Sequence, residues 1–250
     1  INDAPALKAA NVALVVAGGA DIAREAADIV LLKKSLSVII DGIHEGREVF
    51  ANTMKYIRAT LSSNFGNFYA VAIASLFVPF LPMLPVQILL LNLLSDFPMI
   101  SIATDSVDPE EIRAPRKYHV RDIALITTLL GLVSTVFDFL VFAVFRGFEP
   151  SILQTNWFIA SVVTEIIFLF SIRTHLFFLK AKRPSWNVLF FSGIALCTTI
   201  LLPFTPVGAS FFSFHPPSLE HLTIILGIAV AYLIVSETVK LMYYRHLSQA

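Results

Sequence analysis

Apolar segments of about twenty residues recur along the chain, and this repetition constrains the fold more than any other feature, because a bilayer is spanned by a helix of about that length. The segments are residues 60–79, 86–104, 123–145, 155–172, 187–205 and 220–242. The composition agrees, since 56% of the residues are hydrophobic against about 45–50% in soluble domains. The sequence therefore predicts a mainly α-helical, polytopic membrane protein with six transmembrane helices.

The basic residues predict the orientation of these helices. Lysine and arginine are concentrated in segments 105–122 and 173–186 and at the C-terminal end, whereas the other side has only Arg146. Because cytoplasmic loops carry the excess of lysine and arginine, both ends of the chain are predicted to be cytoplasmic. The formal net charge is zero, so no nucleic-acid partner is expected.

The first residues have a soluble α/β pattern. Residues 12–16 and 29–32 are strand-like, and residues 21–27 between them are helical in pattern, which predicts a parallel strand pair. A proline-free helical pattern then starts near Ser37 and continues into the first apolar segment. We therefore divide the chain into an α/β part (1–36), a stalk helix (37–59) and a six-helix membrane domain (60–245).

A polar face interrupts the second apolar segment. Asn92, Ser95 and Asp96 are spaced i, i+3 and i+4, so their oxygen atoms share one helix face. Pro98 cannot donate a hydrogen bond to the Leu94 carbonyl, and we expect it to distort the helix beside the carboxylate. A broken helix at membrane depth is tolerated where it lines a cavity, and its free carbonyls can bind a cation.

The preceding segment offers a matching polar face. Ser63, Asn64 and Asn67 lie on it, with Gly66 permitting close helix approach. A proline-rich turn at 79–85 joins the two helices as a hairpin, so these faces can meet. Oxygen ligands suit Mg²⁺, Ca²⁺, Na⁺, K⁺ or a proton. The alternative is that the asparagines and serines only bind helices together.

Other polar residues of the membrane domain are weaker candidates. Glu165 is either a further ligand of the same cavity or a partner of Asn156 or Arg173. Asp138 is predicted to be structural. Glu237 and Lys240 are one turn apart and are predicted to form a solvated pair. The single cysteine is predicted to be buried and inert, and the six histidines lack the spacing of a metal site.

Motifs at both ends of the stalk resemble those of P-type ATPases. "INDAPAL", "GGADIAREAADIVLL" and "EGREVFANTMKYIRATLSSNFGN" match that family, and the resemblance spans the whole chain. It implies that residues 1–36 are the tail of a Rossmann-like, HAD-type phosphorylation domain. The family's loop is "GDGxNDAPAL", so we expect the chain to be a C-terminal fragment cut within this motif.

The resemblance also implies residue roles. Asn2 would contact the phosphoryl group, and Asp3 would support its Mg²⁺ site indirectly. The phosphorylated aspartate and the nucleotide domain are not in these residues, so the chain alone is expected not to hydrolyse ATP. Asn11 stands where the family usually has aspartate.

Within the family, "SSNFGN", "FVPFLPMLPVQILLLNLLSD", "VFDFLVF", "IRTHLFF" and "LPFTPVGAS" are similar to the bacterial magnesium-importing branch. Calcium pumps carry a glutamate at the position of Asn67, and Ser95 departs from the magnesium branch. The positions that such pumps use for ion coordination are Asn64, Asn67, Asn92, Ser95 and Asp96, with Glu165 as a weaker candidate.

The expected function is the membrane half of an ATP-driven pump that transports Mg²⁺. Its cofactors would be ATP and Mg²⁺, and its partners the cation, the lipid bilayer and the remainder of its own pump chain. The expected location is the bacterial plasma membrane, multi-pass. The alternatives are a pump for Ca²⁺, Na⁺, K⁺ or H⁺, and a non-catalytic six-helix membrane module.

Overall fold

The computed structural model describes residues 2–33 and 35–247. It divides into two compact units, Ile1–Glu48 and Val49–Ala250. Helix α3, Leu36–Ala74, runs through the boundary as one uninterrupted helix of 39 residues. The single long helix predicted from residue 37 onward is therefore present, but it ends at Ala74 rather than near Pro79.

The first unit contains a strand–helix–strand arrangement. Its elements are α1 (Ala4–Ala9), β1 (Leu14–Val16), α2 (Asp21–Ala26) and β2 (Ile29–Leu31). The two strands pair in parallel with Leu14 opposite Ile29, which confirms the predicted parallel pair. Asp28 accepts a hydrogen bond from the Ala13 amide at 2.8 Å and fixes the start of β2 beside β1.

The second unit is helical after α3. Its helices are α4 (Pro85–Ser101), α5 (Pro109–Ile112), α6 (Val120–Phe145), α7 (Pro150–Ile172), α8 (Trp186–Leu201), α9 (Pro206–Phe212) and α10 (Leu219–Leu247). Four of these helices begin with proline, whose missing amide donor is not needed in a first turn. Ser185 caps α8 by accepting from the Val188 amide at 3.4 Å.

Helix α7 is the centre of this unit. Helices α4, α6, α8 and α10 all pack against it, and 78% of its most apolar stretch is buried inside the protein, against 28–39% for the other candidate spans. Trp157, Phe158 and Ile166 of α7 belong to the main core cluster. The outer helices instead expose apolar side chains, which suits contact with lipid.

Five helices are long and apolar enough to cross a membrane, among the described residues. They are α4 and α8, each with the short 3₁₀ turn that follows it, together with α6, α7 and α10. The first of the six predicted spans is not among them. Ser63, Asn64 and Asn67 make the C-terminal part of α3 more polar than these five helices.

Three local predictions were wrong. Pro98 lies inside α4, and the helix continues to Ser101 rather than breaking beside Asp96. Glu237 and Lys240 are 4% and 0% exposed, so their 2.8 Å ion pair is buried and not solvated. Cys197 is exposed on α8, where an apolar span of a membrane protein faces lipid.

Helices α3 and α6 cross in close contact. A Cβ atom added to Gly66 would lie 2.5 Å from the Ser134 hydroxyl, and one added to Gly131 would lie 3.1 Å from the Phe65 Cβ. Glycine at both positions allows this approach, as is common where helices pack in a membrane.

Candidate functional site: a buried carboxyl beside a membrane cavity

Glu165 is the centre of a buried polar cluster made by three helices. The side chain is 6% exposed, and Asn67 of α3 donates a hydrogen bond from Nδ2 to its Oε1. The hydroxyls of Ser63 on α3 and Ser95 on α4 lie beside the same carboxyl. The two polar faces predicted on α3 and α4 therefore meet. They meet at Glu165, which was only a weak candidate for a cation ligand in the sequence analysis.

Two oxygen atoms of this cluster have no hydrogen-bond partner in the described part of the chain. They are Glu165 Oε2 and Ser63 Oγ, and both are fully buried. Glu165 also takes part in none of the five ion pairs found among the described residues. Buried polar atoms are nearly always satisfied in native proteins. The Ser63 hydroxyl, which lies beside the carboxyl, can donate to it, and the carboxylate oxygen positions that remain are suited to binding a cation.

A cavity of about 740 Å³ adjoins the cluster. Asn64, Asn67, Asn92 and Ser161 supply its polar lining, and aromatic and aliphatic side chains form the rest. A mostly apolar cavity with a few convergent polar groups is the usual form of a binding site. Ser161 was missed by the sequence analysis, although it lies one turn before Glu165 on α7.

Asp96 lies at the edge of this arrangement. The structure buries Ser95 but leaves Asn92 and Asp96 exposed on α4, and Asp96 does not line the cavity. Its charge nevertheless acts on Glu165. The three residues of the predicted face therefore lie in different surroundings. Ser95 belongs to the cluster, Asn92 lines the cavity, and Asp96 lies on the surface of the chain.

The predicted phosphorylation-site residues lie in the first unit. Asn2 and Asp3 are both exposed, and Asp3 is the N-cap residue of α1 without a side-chain cap bond. A carboxylate is a suitable Mg²⁺ ligand, but a single one does not make a site, and the described residues contain no group of three metal-binding side chains. Asp3 can therefore contribute at most one ligand, directly or through water.

A second buried network, which sequence analysis missed, joins two loops to α3. Arg173 donates to both oxygens of Asp105, at 2.8 Å and 3.0 Å, and Lys55 approaches the same carboxylate at 3.6 Å. Asp108 accepts hydrogen bonds from Thr174 at 2.6 Å and from the Lys182 amide at 2.7 Å. The only sequence signal was the presence of acidic residues among the basic residues of segment 105–122.

This network lies beside a histidine held between two arginines. Arg58 contacts His175 Nε2 at 2.8 Å, and Arg116 contacts Nδ1 at 3.1 Å. Burial, together with these two guanidinium groups, lowers the pKa of His175 to about 2. Burial also lowers the pKa of Lys55 and raises the pKa of Glu111, whose carboxyl lies 3.5 Å from His175. At neutral pH the imidazole is therefore uncharged.

The neutral His175 predicts an acid-sensitive fold. A base with a lowered pKa binds fewer protons in the folded than in the unfolded state, so stability falls as the pH drops below the unfolded value of 6.5. Between pH 7 and pH 5 this group should cost about 2 kcal/mol. Thermal unfolding of the protein in detergent at both pH values should show that His175→Asn loses less stability than wild type. His215→Asn, at an exposed position, should behave as wild type, and equal losses in all three proteins would refute the assignment.

The family whose description is "Cation transporting ATPase, C-terminus" matches residues 80–242. The match covers α4 to α9 and most of α10, and it includes Ser95, Asp96 and Glu165. The chain belongs to this family of cation-transporting ATPases. The resemblance to P-type pumps stated from the sequence is thereby confirmed.

Relatives of known name extend the match to nearly the whole chain. It is 39% identical over 98% of its length to "Magnesium-transporting ATPase, P-type 1" of Escherichia coli K12, and 38% identical over 98% to the protein of the same name in Salmonella typhimurium LT2. It is 30% identical over 81% of its length to "Calcium-transporting ATPase" of Bacillus subtilis. The chain spans 28% of the length of the two magnesium-transporting relatives.

Proposed function

We propose that the chain forms the cation pathway of an ATP-driven pump and that the transported cation is Mg²⁺. The observation that supports this proposal is the buried, unpaired Glu165 carboxyl beside a cavity with amide and hydroxyl oxygens. These are hard oxygen ligands, which favour Mg²⁺ over softer metals. The proposed ligand set has only two carboxylates, Glu165 and Asp96, which suits an ion that keeps part of its water shell, as Mg²⁺ does.

The proposed cation ligands are contributed by three helices. They are Asn64 and Asn67 of α3, Asn92, Ser95 and Asp96 of α4, and Glu165 of α7. Glu165 and Asp96 would supply the negative charge, the amides and hydroxyls would orient the partly hydrated ion, and the apolar wall would exclude bulk water. In this proposal the C-terminal part of α3 is the first membrane span and brings the number of spans to six, and both ends of the chain lie in the cytoplasm of a bacterial cell.

The remaining parts of the pump would lie in the rest of a longer chain. The first unit, with its parallel strand pair, would complete a HAD-type phosphorylation domain, with Asn2 near the phosphoryl group and Asp3 near its Mg²⁺. When bound, ATP and Mg²⁺ supply the phosphoryl group and neutralise its charge. Helix α3 would connect that domain to the cation ligands, and its movement would alter the Asn67–Glu165 contact.

The test is cation uptake by the full-length pump in lipid vesicles, with Mg²⁺, Ca²⁺, Na⁺ and K⁺ offered in turn. We expect ATP-dependent Mg²⁺ uptake, read by a fluorescent Mg²⁺ probe inside the vesicles, and at least a tenfold loss of apparent affinity in Asp96→Asn, about 1.4 kcal/mol. Asp122→Asn, the same substitution at the start of α6, should leave uptake unchanged.

Each other outcome would overturn a part of the proposal. Uptake of another cation in place of Mg²⁺ would keep the pump and discard magnesium. Wild-type affinity in Asp96→Asn would remove that residue from the ligand set. ATP-independent movement of ions, or none, would favour a passive or non-catalytic membrane module.

A further inference from the structure

Ser161 lines the cation cavity but is not in the proposed ligand set. It lies on α7, one turn before Glu165, and is 2% exposed. Serine and threonine hydroxyls inside helices often donate to a carbonyl one turn earlier, as Thr155 and Thr164 of the same helix do. The Ser161 hydroxyl instead reaches Asp138 of α6, where its Oγ lies 3.4 Å from Oδ1. It is therefore directed at a neighbouring helix rather than at its own backbone.

The direction of this hydrogen bond follows from a third residue. Trp157 Nε1 lies 3.0 Å from the same oxygen of Asp138, and an indole N–H can only donate. Oδ1 is therefore an acceptor, and the Ser161 hydroxyl is the donor of the second bond. A proton on the acid would occupy Oδ2, so the direction of both bonds is the same in either protonation state of Asp138.

The acceptor is held in place by the core of the protein. Asp138 is 5% exposed and Trp157 is 1% exposed. The Trp157 ring packs against Phe142 of α6, with 5.7 Å between the ring centroids. Because protein interiors are closely packed, the indole cannot turn away from Asp138 without opening a void. The oxygen that receives the Ser161 hydrogen therefore has a fixed position.

The hydrogen bond determines what Ser161 can offer to the cavity. A hydroxyl has one hydrogen, and this one is donated to Asp138, so only oxygen lone pairs remain. Such an oxygen can bind a cation, or a water molecule held by a cation, but it cannot donate to an anion. Asn67, which also lines the cavity, is arranged in the same way, because its amide nitrogen donates to Glu165 and its amide oxygen points away from that carboxyl.

We propose that Ser161 is a further cation ligand and that Asp138 is the positioning residue that orients it. Asp138 accepts the hydroxyl hydrogen, and the Ser161 oxygen binds the cation or a water molecule of its shell. This inference rests on the proposed function, because it requires a cation in the cavity. Asp138 itself stays outside the ligand set, since the two residues that donate to it, Trp157 and Ser161, are the ones that line the cavity.

The first test is the Mg²⁺ dependence of ATP-driven uptake by the full-length pump in lipid vesicles. Ser161→Ala should raise the Mg²⁺ concentration for half-maximal uptake by about tenfold, as expected for the loss of one hydrogen bond to a charged group, and should leave the maximal rate unchanged. Ser192→Ala is the matched control, because Ser192 is a buried serine of α8 that does not line the cavity. Equal affinities for the two variants would overturn the proposal.

The second test separates the hydrogen bond of Asp138 from its charge. Asp138→Asn keeps an oxygen acceptor, which the Trp157 N–H holds in place, so its Mg²⁺ affinity should equal that of wild type. Asp138→Leu has no acceptor and should lose affinity about as much as Ser161→Ala. Because Asp138 acts through Ser161, Asp138→Leu should cause no further loss in a protein that already carries Ser161→Ala. Additive losses, or a loss in Asp138→Asn equal to that in Ser161→Ala, would refute the positioning role. If Asp138→Leu does not fold, Asp138→Asn decides.

Failure of this inference can be told apart from failure of the proposed function. Absence of ATP-dependent Mg²⁺ uptake by wild type would refute the proposed function, and the inference with it. Normal uptake by wild type, with the same Mg²⁺ affinity in Ser161→Ala, would overturn the inference alone.

Discussion

Replacing Arg173 with methionine is expected to lower the free energy of unfolding by about 3–5 kcal/mol, the usual effect of removing one partner from a buried ion pair. The two side chains are almost inaccessible, at 4% for Arg173 and 0% for Asp105. Without the guanidinium, Asp105 would retain only Lys55 at 3.6 Å as a cationic partner. The Lys182 carbonyl, which accepts from Arg173 at 2.8 Å, would also lose its donor.

Thermal unfolding of the full-length pump in detergent measures this effect. Arg183→Met is the matched control, because Arg183 is exposed in the same loop. A double variant, Arg173→Met with Asp105→Leu, should recover part of the lost stability, since no charge is then left buried without a partner. Equal unfolding temperatures for Arg173→Met and Arg183→Met would show that the network contributes little.

Glu165→Gln is expected to reduce the apparent affinity of the pump for its cation by at least tenfold, which corresponds to about 1.4 kcal/mol. Glutamine keeps the size of the side chain and an oxygen that can accept the Asn67 hydrogen bond, but it removes the negative charge from the cluster. Helix packing should therefore be retained. Glu165→Ala should bind the cation no better than Glu165→Gln and should also unfold at a lower temperature.

Apparent affinity is read from the cation dependence of ATP-driven uptake in vesicles. Glu149→Gln provides the same change of charge at the exposed N-terminal end of the same helix, and we expect no change in affinity for that variant. An affinity of Glu165→Gln equal to that of Glu149→Gln would mean that Glu165 does not contact the cation. The ligands would then have to be found on α3 and α4 alone.

Local sequence patterns predicted where most of the helices lie in the chain, but not which side of each helix faces its neighbours. The apolar segments located α4, α6, α7, α8 and α10 to within a few residues, because length and hydropathy are properties of each segment alone. The spacing of Asn92, Ser95 and Asp96 placed them on one face of α4. Which part of that face meets Glu165 depends on how α4 packs against α7, and the sequence of α4 does not contain that information.

The same reason explains the residues that were underestimated. Glu165 looked ambiguous because its partner, Asn67, is 98 positions away in the chain. Arg173 and Asp105 are separated by 68 positions in the chain. The basic residues of segment 173–186 were interpreted as a sign of membrane orientation, and nothing in the segment indicated that one of them forms a buried ion pair. Lys240 looked solvated because it follows an apolar span, yet its ammonium donates to the carbonyls of Ser171 and Leu176. Such contacts arise only from tertiary structure.

Helix α3 is attached to the other membrane helices and loops at two heights, at Asn52 and at the neighbouring residues Gly66 and Asn67. Asn52 donates to the Asp105 carbonyl at 2.8 Å, Gly66 touches Ser134, and Asn67 binds Glu165. At a rise of 1.5 Å per residue, the first and last of these attachments are roughly 22 Å apart. Because α3 is a continuous helix, it cannot shift or tilt without breaking one of these contacts or moving the residues on the other side of it. A displacement of α3 along its axis near Asn52 would therefore also displace Asn67. The hydrogen bond between Asn67 and Glu165 is thus the point at which movement of this helix would act on the buried carboxyl.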